Sequence, residues 1–445
     1  MRETRTAQQS IFQPNTDHEI AHELSRMSAW LDSQPVLLDL VGQDIRRTDR
    51  SAFGRNGLTI ESILRCALLK HYRQVDYRTL SFYLKDSVSF RAFARLAPAD
   101  GPSKSTLQRL ISAIQPQTWE SLNQWLLSCA QADGIEDGKV VRIDATGTDM
   151  AILEPSDSGL LFDAVRVMVR LLKQARKRSV QVQFSNPQRK AKKRRHAILN
   201  ARTNERRRPL YVELLTITLD TLAALEKAYK VLQKQLHTSA WLTQVDHYKP
   251  LIQQIIAQTQ HRVLNGESVP AQDKIVSLFE PHTDIIIKGN RDVQYGHKLT
   301  FTGGRSGLVL DAVVESGNPS DTTCVVPMLT RHAEHYGHMP DMFAADGGYA
   351  SLDNLTQAKA LGVNHVAFHK RKGLSVEAMT GGDQWLYRKL RNFRAGIESV
   401  ISCLKRTFGL SRCNWKGLTH FKAYVQGAVF TYNLRVLTRL LPDPG

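Results

Sequence analysis

Three acidic side chains in this chain sit where phosphoryl chemistry could use them. Asp144 ends the β-branched run Lys139-Val140-Val141-Arg142-Ile143, and Asp346 ends the short run Met342-Phe343-Ala344-Ala345. Small or turn-forming residues follow each acid, Ala145-Thr146-Gly147 in one case and Gly347-Gly348 in the other. Carboxylates at strand ends are where open α/β sheets build their sites. The third acid, Glu398, falls in a helical segment, Phe393 to Phe408, whose Phe393, Ile397, Val400, Leu404 and Phe408 share one face. Arg391, Arg394, Glu398 and Lys405 form an arc beside that face, so a helix laid on the sheet would hold them at a packed seam. Three such carboxylates could hold two divalent ions about 4 Å apart, one activating a nucleophile and one stabilising a leaving oxygen at phosphorus. Mg²⁺ suits these hard oxygen ligands, with Mn²⁺ as a substitute. Arg394 and Lys405 could neutralise charge on the reacting phosphate. The competing reading is a surface pair of Arg394 with Glu398, four apart on a helix, contributing roughly 0.2–0.5 kcal/mol.

Other candidates are weaker. Asp149 follows Asp144 closely, Asp311 alternates with Leu310 and Ala312 in a strand, and Asp321 lies in the turn Gly317-Asn318-Pro319-Ser320-Asp321-Thr322-Thr323. Asp311 reads as a surface or supporting residue and Asp321 as a turn former. His332, His335 and His338 share a helical face without a cysteine beside them and read as surface or satisfied histidines.

Charge supplies a second clue. The chain has 445 residues and a formal net charge of +18. Between Arg166 and Arg208 stand sixteen Lys/Arg against one acid, Glu205, so fifteen of the eighteen net charges lie there. Such density attracts a polyanion and releases its counterions, which makes double-stranded DNA the expected partner. Lys190, Lys192, Lys193, Arg194 and Arg195 are the expected phosphate contacts in this block. The alternative is a solvated basic face with no specific ligand. Hydrophobic content of 42% with 23% charged residues excludes a wholly disordered or collagen-like chain. No apolar run approaches the ~20 residues of a membrane span. The opening residues lack a signal peptide's apolar stretch, and the five cysteines (Cys66, Cys129, Cys324, Cys403, Cys413) form no CxxC pair. A reducing cytoplasm, with no disulfide framework or cysteine zinc site, is expected.

The elements that must position these groups follow from periodicity. The first ~135 residues read as short helices joined by turns. One covers Leu58 to Tyr72, another Val88 to Leu96 before Pro98, and a third starts at Ser103-Lys104-Ser105 and runs to Ile114. Ser103 suits an N-cap there. Short helices at tight turns fit a helix-turn-helix type of DNA-binding module, in which Lys104 and Arg109 would face DNA, and equally fit a plain bundle. Strands are expected at 139–146, 284–287, 297–302, 307–314, 341–346 and 365–368, and helices at 352–361, 393–408 and 420–441. Strands alternating with helices make an α/β domain. The helical stretch from about 157 to 264 reads as an insertion between the first strand and its partners.

At this point the residues resemble a known family. Arg391-x2-Arg394-x3-Glu398-x6-Lys405 resembles the Y-x2-R-x3-E-x6-K signature of DDE transposases from bacterial insertion sequences. Asp144 in VVRIDAT and Asp346 in FAADGGY are similar to the first and second acids of that family's triad. DYRTLSFYLKDSVSFRAFARL, FEPHTDIIIKGNRDVQYGHKLTF and GNPSDTT are similar to further stretches of the family, with an ISNCY-like group the nearest branch. Arg391 replaces the signature's tyrosine, and Tyr387 lies one helical turn earlier, which bears on the branch more than on the activity.

The resemblance implies an RNase H-like catalytic core of mixed sheet and flanking helices. It implies an all-α DNA-binding domain at 1–135, a catalytic domain at 136–156 and 280–445, and a large basic helical insertion at 157–279. Asp144, Asp346 and Glu398 would be catalytic ligands of two Mg²⁺ ions, assisted by Arg394 and Lys405. The implied activity is binding of terminal inverted repeats, strand cleavage and strand transfer to target DNA by a homodimer in the active complex. Two other classes stay open, an RNase H-like nuclease without strand transfer and a non-catalytic DNA-binding protein.

Overall fold

The structure, a computed structural model, describes residues 3–5, 18–48, 57–97, 101–287, 293–370 and 372–442. Pro98, expected to stop a helix, and residues 288–292 within the FEPHTD stretch lie outside the described residues. The chain divides into two compact units, Met1–Asp149 with His297–Gly445, and Met150–Gly296.

The first unit opens with short helices whose starts are written in single residues. Thr59, Asp76, Ser87 and Ser103 each accept a hydrogen bond from the backbone N–H three residues on, capping Ile60–Tyr72, Tyr77–Asp86, Val88–Phe93 and Lys104–Ile111. Arg65, fully buried, ties this leader together by pairing with Asp32 at 2.7 Å and Glu61 at 3.1 Å. The leader does not stand apart from the α/β part. The last helix, Leu418–Leu440, is buried along most of its length and packs on Ile60–Tyr72 and Pro116–Ala132. Its Asn433 donates from Nδ2 to Asn123 Oδ1 and to the Val309 carbonyl, each at 2.7 Å.

Seven strands form among the described residues: β1 (Val140–Met150), β2 (Asp284–Ile286), β3 (Gln294–Gly303), β4 (Val309–Val314), β5 (Met342–Ala345), β6 (His365–Phe368) and β7 (Arg412–Cys413). The central order is β3-β1-β5-β6, with β4 antiparallel on β3 and β7 on β1. β1 and β5 are parallel, as are β5 and β6, and both faces of such strands are buried. The mixed sheet and its helices make the RNase H-like α/β class expected from the sequence. The difference is local. β1 is eleven residues long and runs well past Asp144, because pairing with β7 extends it beyond its parallel partner. The seam helix starts at Gln384, nine residues before the expected Phe393, because Asp383 caps it by accepting from Leu386 N.

The second unit is helical. Asp157–Arg178, Gln188–Asn200, Asn204–Leu232 and Ser239–Thr259 enclose one apolar core built on Leu161, Val165, Met168, Leu172, Leu225 and Ile252. Trp241, buried in that core, donates its indole N–H to the Leu171 carbonyl at 3.0 Å. Both carboxylate oxygens of Asp157 accept from Arg262 Nη1, Oδ1 at 3.0 Å and Oδ2 at 2.9 Å. β2 pairs antiparallel with Gln294–Gly296.

Candidate active site

Strand register brings the two aspartates together. The parallel rungs are Val140↔Met342, Val141↔Phe343 and Arg142↔Ala344. Asp144 and Asp346 each lie two residues past the last rung, so strand alternation points them to one side. Asp144 is not at a strand end as expected, since β1 continues to Met150. It stands where the β5 rungs stop, and that is the edge that matters. Asp144 is 8% exposed, and its Oδ1 accepts from Ala145 N at 2.8 Å. Asp346 opens the turn after β5, where Gly348 N donates to its carboxylate. A Cβ on Gly348 would lie 2.7 Å from Asp321 Oδ2 and 2.9 Å from Asp346 Oδ1, so the turn needs glycine.

The helix Gln384–Thr407 brings the third acid. It buries Leu390, Ile397, Val400 and Leu404 against the sheet. Arg142 of β1 pins it, donating from Nη1 to the Phe393 carbonyl at 2.9 Å with its guanidinium 4.6 Å over the Phe393 ring. A side chain at Gly396 would collide with that guanidinium. Tyr387 is buried and donates to the Phe368 carbonyl at 2.9 Å, a structural place for the tyrosine that precedes the signature. Arg391 is exposed.

Arg394 joins all three acids. Its Nη1 lies 2.6 Å from Glu398 Oε1, and its Nη2 lies 3.3 Å from Asp144 Oδ2 and 3.5 Å from Asp346 Oδ2. The Arg394 side chain is only 11% exposed, whereas Glu398 is 60% exposed. The helical Arg–Glu pair is therefore real, and it is also one edge of a larger cluster. Three carboxylates around one guanidinium leave two excess negative charges at a half-buried place. That donor set suits a hard divalent cation. As they stand, the acids face Arg394 rather than one another, and no three His, Cys, Asp or Glu side chains among the described residues are grouped to hold an ion. Burial near Asp321, Asp144 and Asp346 pushes the Tyr349 phenol well above its ordinary range, so it remains protonated beneath the cluster.

The remaining expected residues fall elsewhere. Lys405 lies seven residues beyond Glu398, about 10.5 Å along the helix, on the wall of a separate cavity. Asp311 is buried rather than at the surface, held by Arg331 at 2.6 and 2.9 Å. Asp321 is more than a turn former: it pairs with Lys298 at 2.6 Å beside Asp346. Lys104 and Arg109 are exposed on Lys104–Ile111. In the second unit Arg189, Lys190, Lys192 and Lys193 are exposed. Arg194 and Arg195, expected beside them, turn inward: Arg194 pairs with Glu213, and Arg195 lies 5.6 Å over the Phe162 ring. A 3.6-residue period puts some members of any dense charge run on the packed face. Arg142, which positions the signature helix, has no sequence signal beyond a charge inside an apolar strand.

No helix among the described residues is long and apolar enough to cross a membrane. A transposase DDE domain family matches residues 284–434, which include Asp346 and the whole signature helix. A second family, described as a transposase domain (DUF772), matches residues 12–113 in the helical leader. No curated protein and no solved structure matches the chain. The two families fit an IS4/IS5-like transposase in the broad sense and do not carry the narrower ISNCY-like branch. With its leader matched by one transposase family and the α/β core from residue 284 to 434 by the other, the chain belongs to the DDE transposases of insertion sequences, enzymes that cleave DNA and transfer its strands.

Proposed function

We propose that the chain recognises the terminal inverted repeats of its element, cuts the DNA there and joins the freed 3′-OH to target DNA, with Asp144, Asp346 and Glu398 as the catalytic acids. The observation that carries this is the meeting of all three, from segments up to 254 residues apart, on one Arg394 guanidinium. A pair of Mg²⁺ ions held by the acids would supply Lewis-acid stabilisation of the attacking and leaving oxygens. The chain's own groups do the rest. Asp144 and Asp346 are preset by strand register, and the exposed Glu398 can swing on its helix to complete the set. Arg394, beside all three acids, would donate to a phosphate oxygen. The exposed cations of the second unit and of Lys104–Ile111 contact DNA phosphates. Two ends must be held together for transfer, so the active complex is a dimer, acting on DNA in the bacterial cytoplasm. The domain limits this reading needs are a DNA-binding leader at 1–135, a catalytic domain at 136–156 and 280–445, and a basic insertion at 157–279.

Joining assays test this directly. A pre-cleaved end duplex incubated with the chain, Mg²⁺ and a plasmid target should yield covalent insertion products. Cleavage of intact ends with no joining of pre-cut ones would reduce the chain to a nuclease.

A further inference from the structure

A cavity of about 460 Å³ opens in the first unit, between the end of the leader's Ile60–Tyr72 helix and the last turn of the signature helix. Four cations line it: Lys70, Lys405, Arg406 and Arg412. One carboxylate shares the wall, Asp76, and it is engaged in capping Tyr77–Asp86, accepting from Thr79 N at 2.7 Å. The space is thus lined by a clear excess of positive charge.

Lys70 is the unusual member. It is 5% exposed, and its ammonium stands 5.0 Å from the centroid of Tyr77, 5.2 Å from Trp415 and 5.7 Å from Tyr424. Ring faces attract a cation but offer little to replace the hydrogen bonds it had in water. Burial lowers its pKa to about 8, so near neutral pH it remains mostly charged. His71 beside it is fully buried with neither ring nitrogen partnered, and burial keeps it neutral. The walls are fixed. Gln74 donates from Nε2 to the Arg406 carbonyl, and Tyr424 donates to the Gly409 carbonyl at 2.7 Å. A preformed cavity with a desolvated ammonium at its floor and guanidinium groups at its rim matches a phosphate group, which takes several charge-assisted donors at once.

Resting on the transposase reading, we propose that this cavity holds a backbone phosphate of the bound DNA, with Lys70 at its floor and Arg412 at its rim. Lys405 connects it to the acids, about 10.5 Å away along one helix. Lys70 and Arg412 are then positioning residues: they set which linkage lies over Asp144, Asp346 and Glu398.

The test is a scan of neutral methylphosphonate linkages, one at a time, through a duplex carrying the element's own end, with binding of the full chain measured by titration. The wild-type chain should lose roughly tenfold in affinity at one or two linkages. Lys70→Met and Arg412→Gln should bind the unmodified duplex more weakly and lose nothing further at those linkages, while Glu398→Gln keeps the wild-type profile. Variants that keep the wild-type profile overturn the proposal. So does protection of the wild type, but not of Lys70→Met, from thermal unfolding by inorganic phosphate with no linkage coupled, because the cavity then takes a free anion. Should Lys70→Met fail to fold, Arg412→Gln decides, since Arg412 is exposed. A chain that binds no end duplex sinks the end-recognition reading itself, a different result from binding with an uncoupled scan.

Discussion

The two units use cations in opposite ways. In the first, buried and half-buried guanidinium groups are met by acids: Arg394 by Asp144, Asp346 and Glu398, Arg331 by Asp311 and Glu120, and Arg65 by Asp32 and Glu61. In the second, the dense run from Arg166 to Arg208 covers an apolar core, and its ion pairs among the described residues are Arg166–Asp163 and Arg194–Glu213. A charge inside a protein needs a partner, because desolvation costs it several kcal/mol. A charge left in water needs none and keeps its reach for a polyanion. The first arrangement fixes geometry, and the second leaves its charge at the surface, where it can attract a polyanion.

Neutralising an acid of the cluster should produce the largest effect. Glu398→Gln or Asp144→Asn should lower cleavage at matched Mg²⁺ by on the order of a thousandfold, since metal-based stabilisation is worth several kcal/mol. Binding of the end duplex should stay within about twofold, because the phosphate contacts proposed above lie on other residues. A Glu398→Gln chain that cleaves within roughly threefold of its parent would remove Glu398 from the site.

Matched cuts in the two units come next. Arg331→Met strands the 5%-exposed Asp311 and should cost about 3–5 kcal/mol in chemical denaturation. Arg194→Met leaves behind Glu213, whose side chain is 44% exposed and can be solvated, and should cost less than about 1 kcal/mol. Equal losses would erase the contrast between the units.

The DNA contacts proposed for the second unit are tested by salt. Changing Arg189, Lys190, Lys192 and Lys193 to Gln should flatten the plot of log affinity against log salt by about 0.9 for each phosphate no longer neutralised. Adding Arg194→Gln and Arg195→Gln should flatten it little more, since both side chains are turned inward. An unchanged slope would make the whole run a solvated face.

A further effect, confined to acid pH, concerns a neutral buried group. His332 is packed on Tyr336, their ring centroids 4.7 Å apart, and burial pushes its pKa down to about 4. The unfolded chain binds this proton near pH 6.5, before the folded one does. Stability should therefore fall as pH drops from about 6.5 towards 4, and His332→Gln should flatten that part of the Tm profile. A profile unaltered by the substitution would place His332 in a wetter environment than its packing indicates.

Much of the fold was legible because its signals are local. The limits of β6, His365–Phe368, follow from the short run His365-Val366-Ala367-Phe368, and Ser103 marks a helix start by its own hydroxyl. The order Asp144, Asp346, Glu398 and the R-x3-E-x6-K spacing are likewise written along the chain, as is the basic block. What spacing could not supply is which of these meet. That Asp144 and Asp346 share a side depends on the β1–β5 register, set between strands about 200 residues apart. Glu398 alone reads equally as a surface pair or a site residue, and it becomes part of a cluster only because Arg142 pins its helix across β1. Nothing in the sequence singles out Lys70; its setting arises only where Tyr77, Trp415 and Tyr424, the last two roughly 350 residues on, close around it. Arg194 and Arg195 err the other way, since the helix's period turns them inward. Periodicity, caps and charge density act over a few residues and are fixed by the sequence itself; register, burial and the pairing of buried charges arise between distant segments, and only the packed chain decides them.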